Sequence, residues 1–187
     1  MFEFDGQLIQ NGSAKIVITS QARQELAQVQ RDIYDTHRHR TFALAFYMTG
    51  NELEAEEILT NTFVQAFRTA EQPQGPDVDA ALIQELRQRF PLGEDASNTP
   101  PHIKIDQSPD LSGNVRRTDM EEAVQTLPST ERFLFLLRDV EGYTPAAIAQ
   151  LLQMPESKVQ RLLFAARLRL RQALAEAQAS RRAEEAA

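Results

Sequence analysis

The chain has no cysteine and no tryptophan, and only three of its 187 residues are histidine. Without cysteine it has no disulfide bond, no thiolate metal ligand and no thiol nucleophile, which favours a reducing compartment. No apolar run approaches the ~20 residues that span a bilayer, and residues 1–10 lack the basic start and apolar core of a secretory signal. We therefore expect a cytoplasmic protein that does not enter a membrane.

Motifs for catalysis are also missing. We find no glycine-rich phosphate loop, no pattern of nucleophile, histidine and acid, and no metal-ligand spacing. His37 and His39 are two residues apart and point to different sides of a helix, so they are poor joint ligands, and His102 stands alone. We expect a protein that is not an enzyme and that needs no metal and no cofactor.

Charge is divided unevenly along the chain. The net charge is −7, yet residues 155–182 carry seven cations against two anions, a local charge of +5, which leaves −12 for the remainder. The cations are Lys158, Arg161, Arg167, Arg169, Arg171, Arg181 and Arg182. A basic segment on an acidic body indicates one surface with a binding role, typically toward nucleic acid. The dipole at a helix C-terminus also favours cations, so a solvated helix end stays an alternative.

A helical pattern runs from residue 21 to residue 69 and is interrupted at Gly50 and Asn51. Asn51 is the expected N-cap of the second helix, with Glu54 three residues later as in a capping box. The acidic residues in the first turns of this helix are also favoured by its dipole. Its apolar stripe consists of Ala55, Leu59, Phe63, Ala66 and Phe67.

Proline and glycine recur between residues 73 and 113, around one helical island at residues 78–90. We predict an N-terminal extension (1–20), a helical domain (21–90), a flexible linker (91–117), a second helical domain (118–178) and a tail (179–187). The fold class is all-α, with two small helical domains. Asn11-Gly12 allows a β-hairpin in the extension, although a tail without fixed structure explains that segment equally well.

The second domain has the pattern of short helices separated by tight breaks, which is typical of a helix-turn-helix. Thr144-Pro145 predicts a helix start, because a hydroxyl N-cap is followed by proline at the first helical position. The two middle helices carry the apolar stripes Phe133, Leu136, Leu137, Val140 and Ile148, Leu151, Leu152. In the last helix the apolar face consists of Val159, Leu163, Ala166, Leu170 and Leu174.

Two blocks of the chain resemble the sigma-70 family of bacterial RNA polymerase sigma factors, in particular the small extracytoplasmic-function (ECF) group. Residues 33–68, IYDTHRHRTFALAFYMTGNELEAEEILTNTFVQAFR, are similar to sigma region 2. Residues 127–174 are similar to region 4. The positions that carry this second similarity are Leu127-Pro128, Glu131-Arg132, Leu137-Arg138, Glu141-Gly142, Ile148-Ala149, Leu152, Val159 and Arg167.

The resemblance implies a non-enzymatic protein that directs RNA polymerase to specific promoters. Its implied partners are core polymerase and promoter DNA, with an anti-sigma factor as a possible third. The residues that match the family's polymerase-binding helix are Glu56, Glu57, Leu59 and Phe63. The candidate DNA-binding residues are Thr144, Lys158, Gln160, Arg161, Phe164, Arg167 and Arg171. Arginine and glutamine can pair with guanine and adenine edges, and cations can hold phosphates.

The chain also departs from the family pattern. The departures are Thr60 for a glutamine, Ala147 for an acidic residue, Gln153 for a turn glycine, and Leu162 and Ala165 for two recognition-helix arginines. After region 2 the family has an aromatic, basic helix that captures the melted strand, but here only Arg87, Arg89 and Phe90 are candidates. The alternative function is therefore a sigma-like regulatory protein that binds polymerase or a partner and does not open promoters.

Overall fold

The structure is a computed structural model that describes residues 6–70, 72–90, 92 and 115–185, with residues 6–20 described by their backbone. These residues form helices and turns and no strand, which confirms the all-α prediction. The helices are α1 (Gly6–Thr49), α2 (Glu52–Thr69), α3 (Gly75–Arg89), α4 (Arg117–Thr126), α5 (Ser129–Phe135), α6 (Pro145–Leu152) and α7 (Glu156–Glu185), and a π-helical turn (Leu136–Val140) follows α5. Most of the predicted linker, 91–117, lies outside the described residues.

The first helix, α1, contains 44 residues and runs through Asn11 and Gly12, so the prediction of a β-hairpin is wrong. Glycine costs a helix interior only ~1 kcal/mol relative to alanine, whereas a lone hairpin is itself only marginally stable in water. α1 ends where Gly50 adopts φ +70°, a left-handed conformation that glycine reaches without strain. The Gly50 N–H donates to the Phe46 carbonyl at 2.7 Å and closes the last turn.

The N-cap predicted for α2 is confirmed. Asn51 Oδ1 accepts hydrogen bonds from the backbone N–H groups of Leu53 at 2.9 Å and Glu54 at 3.3 Å. The buried face of α2 lies against α3, where Phe63 belongs to the same apolar cluster as Val78. The cap and the stripe together fix the start of α2 and the side that it buries.

The helix start predicted at Thr144 is also confirmed, because its hydroxyl accepts a hydrogen bond from the Ala147 N–H at 3.1 Å. The turn after α6 contains Gln153 at φ 54°, at the position where the family pattern has glycine. This left-handed conformation costs a residue with a side chain roughly 1–2 kcal/mol. The turn between α6 and α7 therefore forms although Gln153, at its centre, is unfavourable for the left-handed conformation.

Val140 does not occupy its predicted core position and is 59% exposed. The π-helical turn is the physical reason, since the Glu141 N–H donates to the carbonyl of Leu136, five residues earlier, at 3.0 Å. A π turn inserts a residue into the helical repeat, so the residues after it rotate away from the apolar stripe. Leu136 and Leu137 stay buried at its start.

We call α1–α3 the N-terminal half and α4–α7 the C-terminal half. The largest cluster of buried apolar side chains joins them, with Leu44, Met48 and Leu86 from the first half and Leu134 and Leu137 from the second. The two halves therefore share one continuous core. Within the described part of the chain, no helix is long and apolar enough to cross a membrane, and no group of three or more acidic, histidine or cysteine side chains could hold a metal ion.

Candidate functional site

A row of exposed side chains runs along α7, and we call it the α7 row. Gln160, Phe164, Arg167 and Arg171 recur every three or four residues and share one side of the helix, with Arg161 beside them. Phe164 is 62% exposed, although it is a large apolar residue. The opposite face of α7 is apolar and buried. The structure thus brings five of the predicted DNA-binding residues onto one surface.

The other two predicted DNA contacts lie near the starts of α6 and α7. Thr144 is exposed, and its hydroxyl caps α6, whereas Lys158 is half-buried in the first turn of α7. Leu162 and Ala165 stand where the family has arginines, and they are only 1% and 5% exposed. An arginine at either position would have to enter the core in this arrangement.

Arg167 is held by an acidic side chain of its own half. Its Nη2 and Nε atoms lie 2.6 and 3.2 Å from the two carboxylate oxygens of Asp139, at the end of the π-helical turn. This hydrogen bonding raises the pKa of Arg167, against a smaller opposing effect of burial. A DNA phosphate would have to compete with the Asp139 carboxylate for the guanidinium group.

Two further cations of α7 have structural partners. Arg169 Nε lies 3.1 Å from a carboxylate oxygen of Glu131, which is fully buried, and Arg181 pairs with Asp119 of α4. These ion pairs tie α7 to α4 and α5. They also lower the effective charge of the basic segment below the +5 that its sequence carries.

The residues predicted to bind polymerase divide between the surface and the interior. Glu56 and Glu57 are exposed and Leu59 is half-buried on α2. Phe63 is only 3% exposed and packs edge-to-face on Tyr34, with ring centroids 4.9 Å apart. Phe63 therefore supports α2 from beneath and does not lie on its outer surface.

Two exposed apolar residues of α2 are absent from the sequence prediction. Leu53 is 76% exposed and Val64 is 43% exposed, and they lie about three helical turns apart on one side of the helix. Glu57 lies between them and pairs with Arg89 of α3 at 3.0 Å. Large apolar residues outside the core-facing stripe were the signal that could have identified them.

Polar side chains of both halves meet at Arg40, in a group that we call the Arg40 cluster. Arg40 Nη1 lies 2.6 Å from Asp79 Oδ1, its Nη2 donates to the Tyr143 hydroxyl at 2.9 Å, and its Nε donates to Glu141. The Tyr143 hydroxyl in turn donates to Asp79 at 2.8 Å. Burial lowers the pKa of Arg40, but its hydrogen bonds to Asp79 and Glu141 outweigh that effect and raise it.

A second polar group, the Arg132 cluster, closes the C-terminal end of α1. Arg132 Nη1 donates to the Met48 carbonyl at 2.6 Å and to Gln125 Oε1 at 2.7 Å, and the Gln125 amide donates to the Tyr47 carbonyl at 2.9 Å. The last carbonyls of a helix have no partner within it. The C-terminal half thus supplies the missing donors, and burial lowers the pKa of Arg132.

Comparison with known proteins gives a family match for part of the C-terminal half. The family model "Sigma-70, region 4" matches residues 117–170, which contain α4 to α6 and the first half of α7. The fold is similar to that of the sigma factor RpoE from Bartonella quintana, solved in complex with the anti-sigma factor NepR. That similarity has 19% sequence identity and a TM-score of 0.50, and it covers 81% of this chain and 95% of that one. No protein of curated function matches the sequence.

Residues 117–170 therefore match the sigma-70 region 4 family. The fold of the chain is similar to that of a solved sigma factor.

Proposed function

We propose that the protein is a sigma factor that directs bacterial RNA polymerase to specific promoters at transcription initiation. The observation that carries this proposal is a region 4 domain with an exposed, basic row on the helix after its turn. The partners are core polymerase and promoter DNA. An anti-sigma factor is a third, supported by the NepR that accompanies RpoE. The protein acts in the cytoplasm, without catalytic activity, cofactor or metal.

In this proposal α7 enters the major groove of promoter DNA. Gln160 and Arg161, in the second turn of α7, contact adenine and guanine edges. The other contacts, to phosphates and thymine methyl groups, are made by Thr144, Lys158, Phe164, Arg167 and Arg171. Arg167 contributes fully only after a phosphate has displaced the Asp139 carboxylate.

The outer face of α2 is the proposed polymerase-binding surface. Leu53 and Val64 supply two exposed apolar side chains, and Glu57 lies between them, with Glu56 and Leu59 nearby on α2. Such a surface combines apolar and polar contacts, as protein interfaces do. Phe63 takes part indirectly, by holding α2 on the core.

The proposed roles are assigned to the predicted domains. Residues 21–90 act as a region 2-like domain and residues 118–178 as the region 4 domain. Residues 91–117 connect them, and residues 1–20 and 179–187 are additions outside both domains.

A second candidate function is a sigma-like protein that binds polymerase or a partner but does not open promoters. The candidates for capture of melted DNA are all engaged within the fold. Arg87 donates to the Leu152 carbonyl at 2.8 Å, Arg89 pairs with Glu57 at 3.0 Å, and Phe90 packs against the largest apolar cluster. Strand capture needs accessible aromatic and cationic side chains, so this arrangement favours the second candidate.

Reconstituted transcription separates the two candidates. Purified protein and core polymerase would be tested on the same promoter as an intact duplex and with its start-site region held open by mismatches. A sigma factor yields specific transcripts from both templates. The second candidate binds core polymerase and yields transcripts from the mismatched template alone or from neither.

Absence of core binding and of transcripts would exclude the sigma factor and would leave the second candidate only as a protein that binds a partner other than polymerase. Variant Arg161→Ala serves as the DNA-contact control, because it should lower transcription from either template while leaving the binding of core polymerase unchanged.

A further inference from the structure

We propose that the free protein is closed, with its two halves held together by a polar lock that must break before they can separate. The lock consists of the Arg40 cluster and the Arg132 cluster. Its consequence for promoter binding rests on the proposed function, but the lock itself does not. The lock controls the distance between the outer face of α2 and the α7 row. It does not control how exposed either surface is.

The Arg40 cluster joins three separate parts of the chain through one guanidinium group. Asp79 and Glu141 are both only 18% exposed, and Arg40 is bonded to each of them. Without Arg40 these two partly buried carboxylates would lose the cation that they share. Removal of one member of a partly buried charge group leaves the others uncompensated. We therefore expect the cluster to form or break as a unit.

The halves also cap each other's helices. Arg132 and Gln125 of the C-terminal half donate to the last carbonyls of α1, and Arg87 of the N-terminal half donates to Leu152, the last residue of α6. Separation would leave both helix ends to water and would break the continuous apolar core beneath them. In the closed arrangement these helix ends therefore have hydrogen-bond partners, and the apolar side chains between the halves are buried.

The α7 row remains exposed while the halves are closed. Gln160, Arg161, Phe164 and Arg171 all face solvent although the lock is complete. The same holds for Leu53 and Val64 of α2. Closure therefore leaves both proposed binding surfaces open and fixes their relative position. A complex in which the two surfaces lie farther apart must first break the lock.

The absence of native cysteine allows a direct test. Spin labels at Thr60→Cys on α2 and Ser157→Cys on α7, both exposed positions, would report the distance between the halves by double electron–electron resonance. The full chain is measured without polymerase or DNA. We expect one narrow distance distribution for the otherwise unchanged protein.

Two variants test the lock, and a third is the matched control. Arg40→Met should raise the fraction of long distances about tenfold, because it removes every bond of the cluster that crosses the halves through Arg40. Tyr143→Phe keeps the ring and removes two bonds, so it should have a smaller effect in the same direction. Arg38→Met lies on the same helix, pairs only with neighbours on α1 in the described structure, and should leave the distribution unchanged.

Far-UV circular dichroism of each variant ensures that long distances do not come from unfolding. A broad distribution in the parent protein would overturn the closed state. A narrow distribution that neither Arg40→Met nor Tyr143→Phe changes would overturn the lock as proposed, because the Arg40 cluster would then have no part in holding the halves together. No polymerase or DNA is present in this measurement. The lock could therefore be supported although transcription fails, and it could be overturned although transcription succeeds.

Discussion

Replacement of Arg132 by methionine should destabilise the protein more than the same replacement of any arginine of the α7 row. The guanidinium group makes four hydrogen bonds, to the Met48 and Leu127 carbonyls and to the backbone and side-chain oxygens of Gln125. Methionine has similar length and fills the same apolar space, so the change removes mainly the donors.

The magnitude follows from the acceptors that are left behind. Three backbone carbonyls lose a charged donor, and an unsatisfied, partly buried acceptor costs roughly 1–3 kcal/mol. The burial that lowers the pKa of Arg132 shows that its charge is itself costly to desolvate, so part of the loss is recovered when the charge is removed. We expect the free energy of unfolding to fall by about 2–4 kcal/mol.

Urea unfolding followed by far-UV circular dichroism measures this change, with Arg38→Met as the control. The control removes an exposed ion pair of α1 and should cost no more than about 0.5 kcal/mol. An Arg132→Met protein within about 0.5 kcal/mol of the wild type would refute the reasoning, since it would show that water caps the end of α1 as well as Arg132 does.

Three further predictions concern binding and pH. Arg161→Ala should weaken specific promoter binding by roughly 1–3 kcal/mol in fluorescence anisotropy, with Arg23→Ala on α1 as the control. Asp139→Asn frees Arg167 and should strengthen DNA binding up to about tenfold, with a steeper dependence on salt. Burial, and then a hydrogen-bonded carboxylate, raises the pKa of Tyr143. Its neutral form therefore stabilises the fold fully below the unfolded value of ~10, and this contribution is lost as the pH rises through the folded value. Thermal unfolding between about pH 9 and pH 12 should show the loss, and Tyr143→Phe should lack it.

Each of these three predictions has a distinct contrary result. Equal promoter affinity and sequence preference in Arg161→Ala would remove this residue from base recognition. Weaker DNA binding in Asp139→Asn would mean that the carboxylate positions Arg167 for DNA and does not compete with it. Identical alkaline profiles for the wild type and Tyr143→Phe would show that the phenol does not contribute to the lock.

Local signals predicted much of the secondary structure because their causes are local. Asn51 and Thr144 cap helices through atoms two or three residues away, and the alternation of apolar and polar residues along α7 sets which face is buried. The π-helical turn escaped prediction, since no residue type marks the inserted position. Val140 was therefore placed on the wrong side of the helix.

The contacts between the halves could not be predicted in the same way. Arg40 and Glu141 are 101 residues apart in sequence, and Arg132 and Met48 are 84 apart. No periodic pattern connects such positions, and each residue alone is an ordinary polar residue of a helix or turn. The sequence indicated a basic recognition helix, but the pairing of Arg167 with Asp139 depends on how the two helices pack.

The π-helical turn Leu136–Val140 also has a consequence for insertions and deletions in this chain. One residue corresponds to about 100° of rotation in a helix of 3.6 residues per turn. Deletion of a single codon within the turn would therefore restore the α-helical register, carry Val140 toward the interior and swing Asp139 away from Arg167. The charge exposed along α7 is in this sense adjustable by an insertion or deletion in a neighbouring helix, without any substitution in α7 itself.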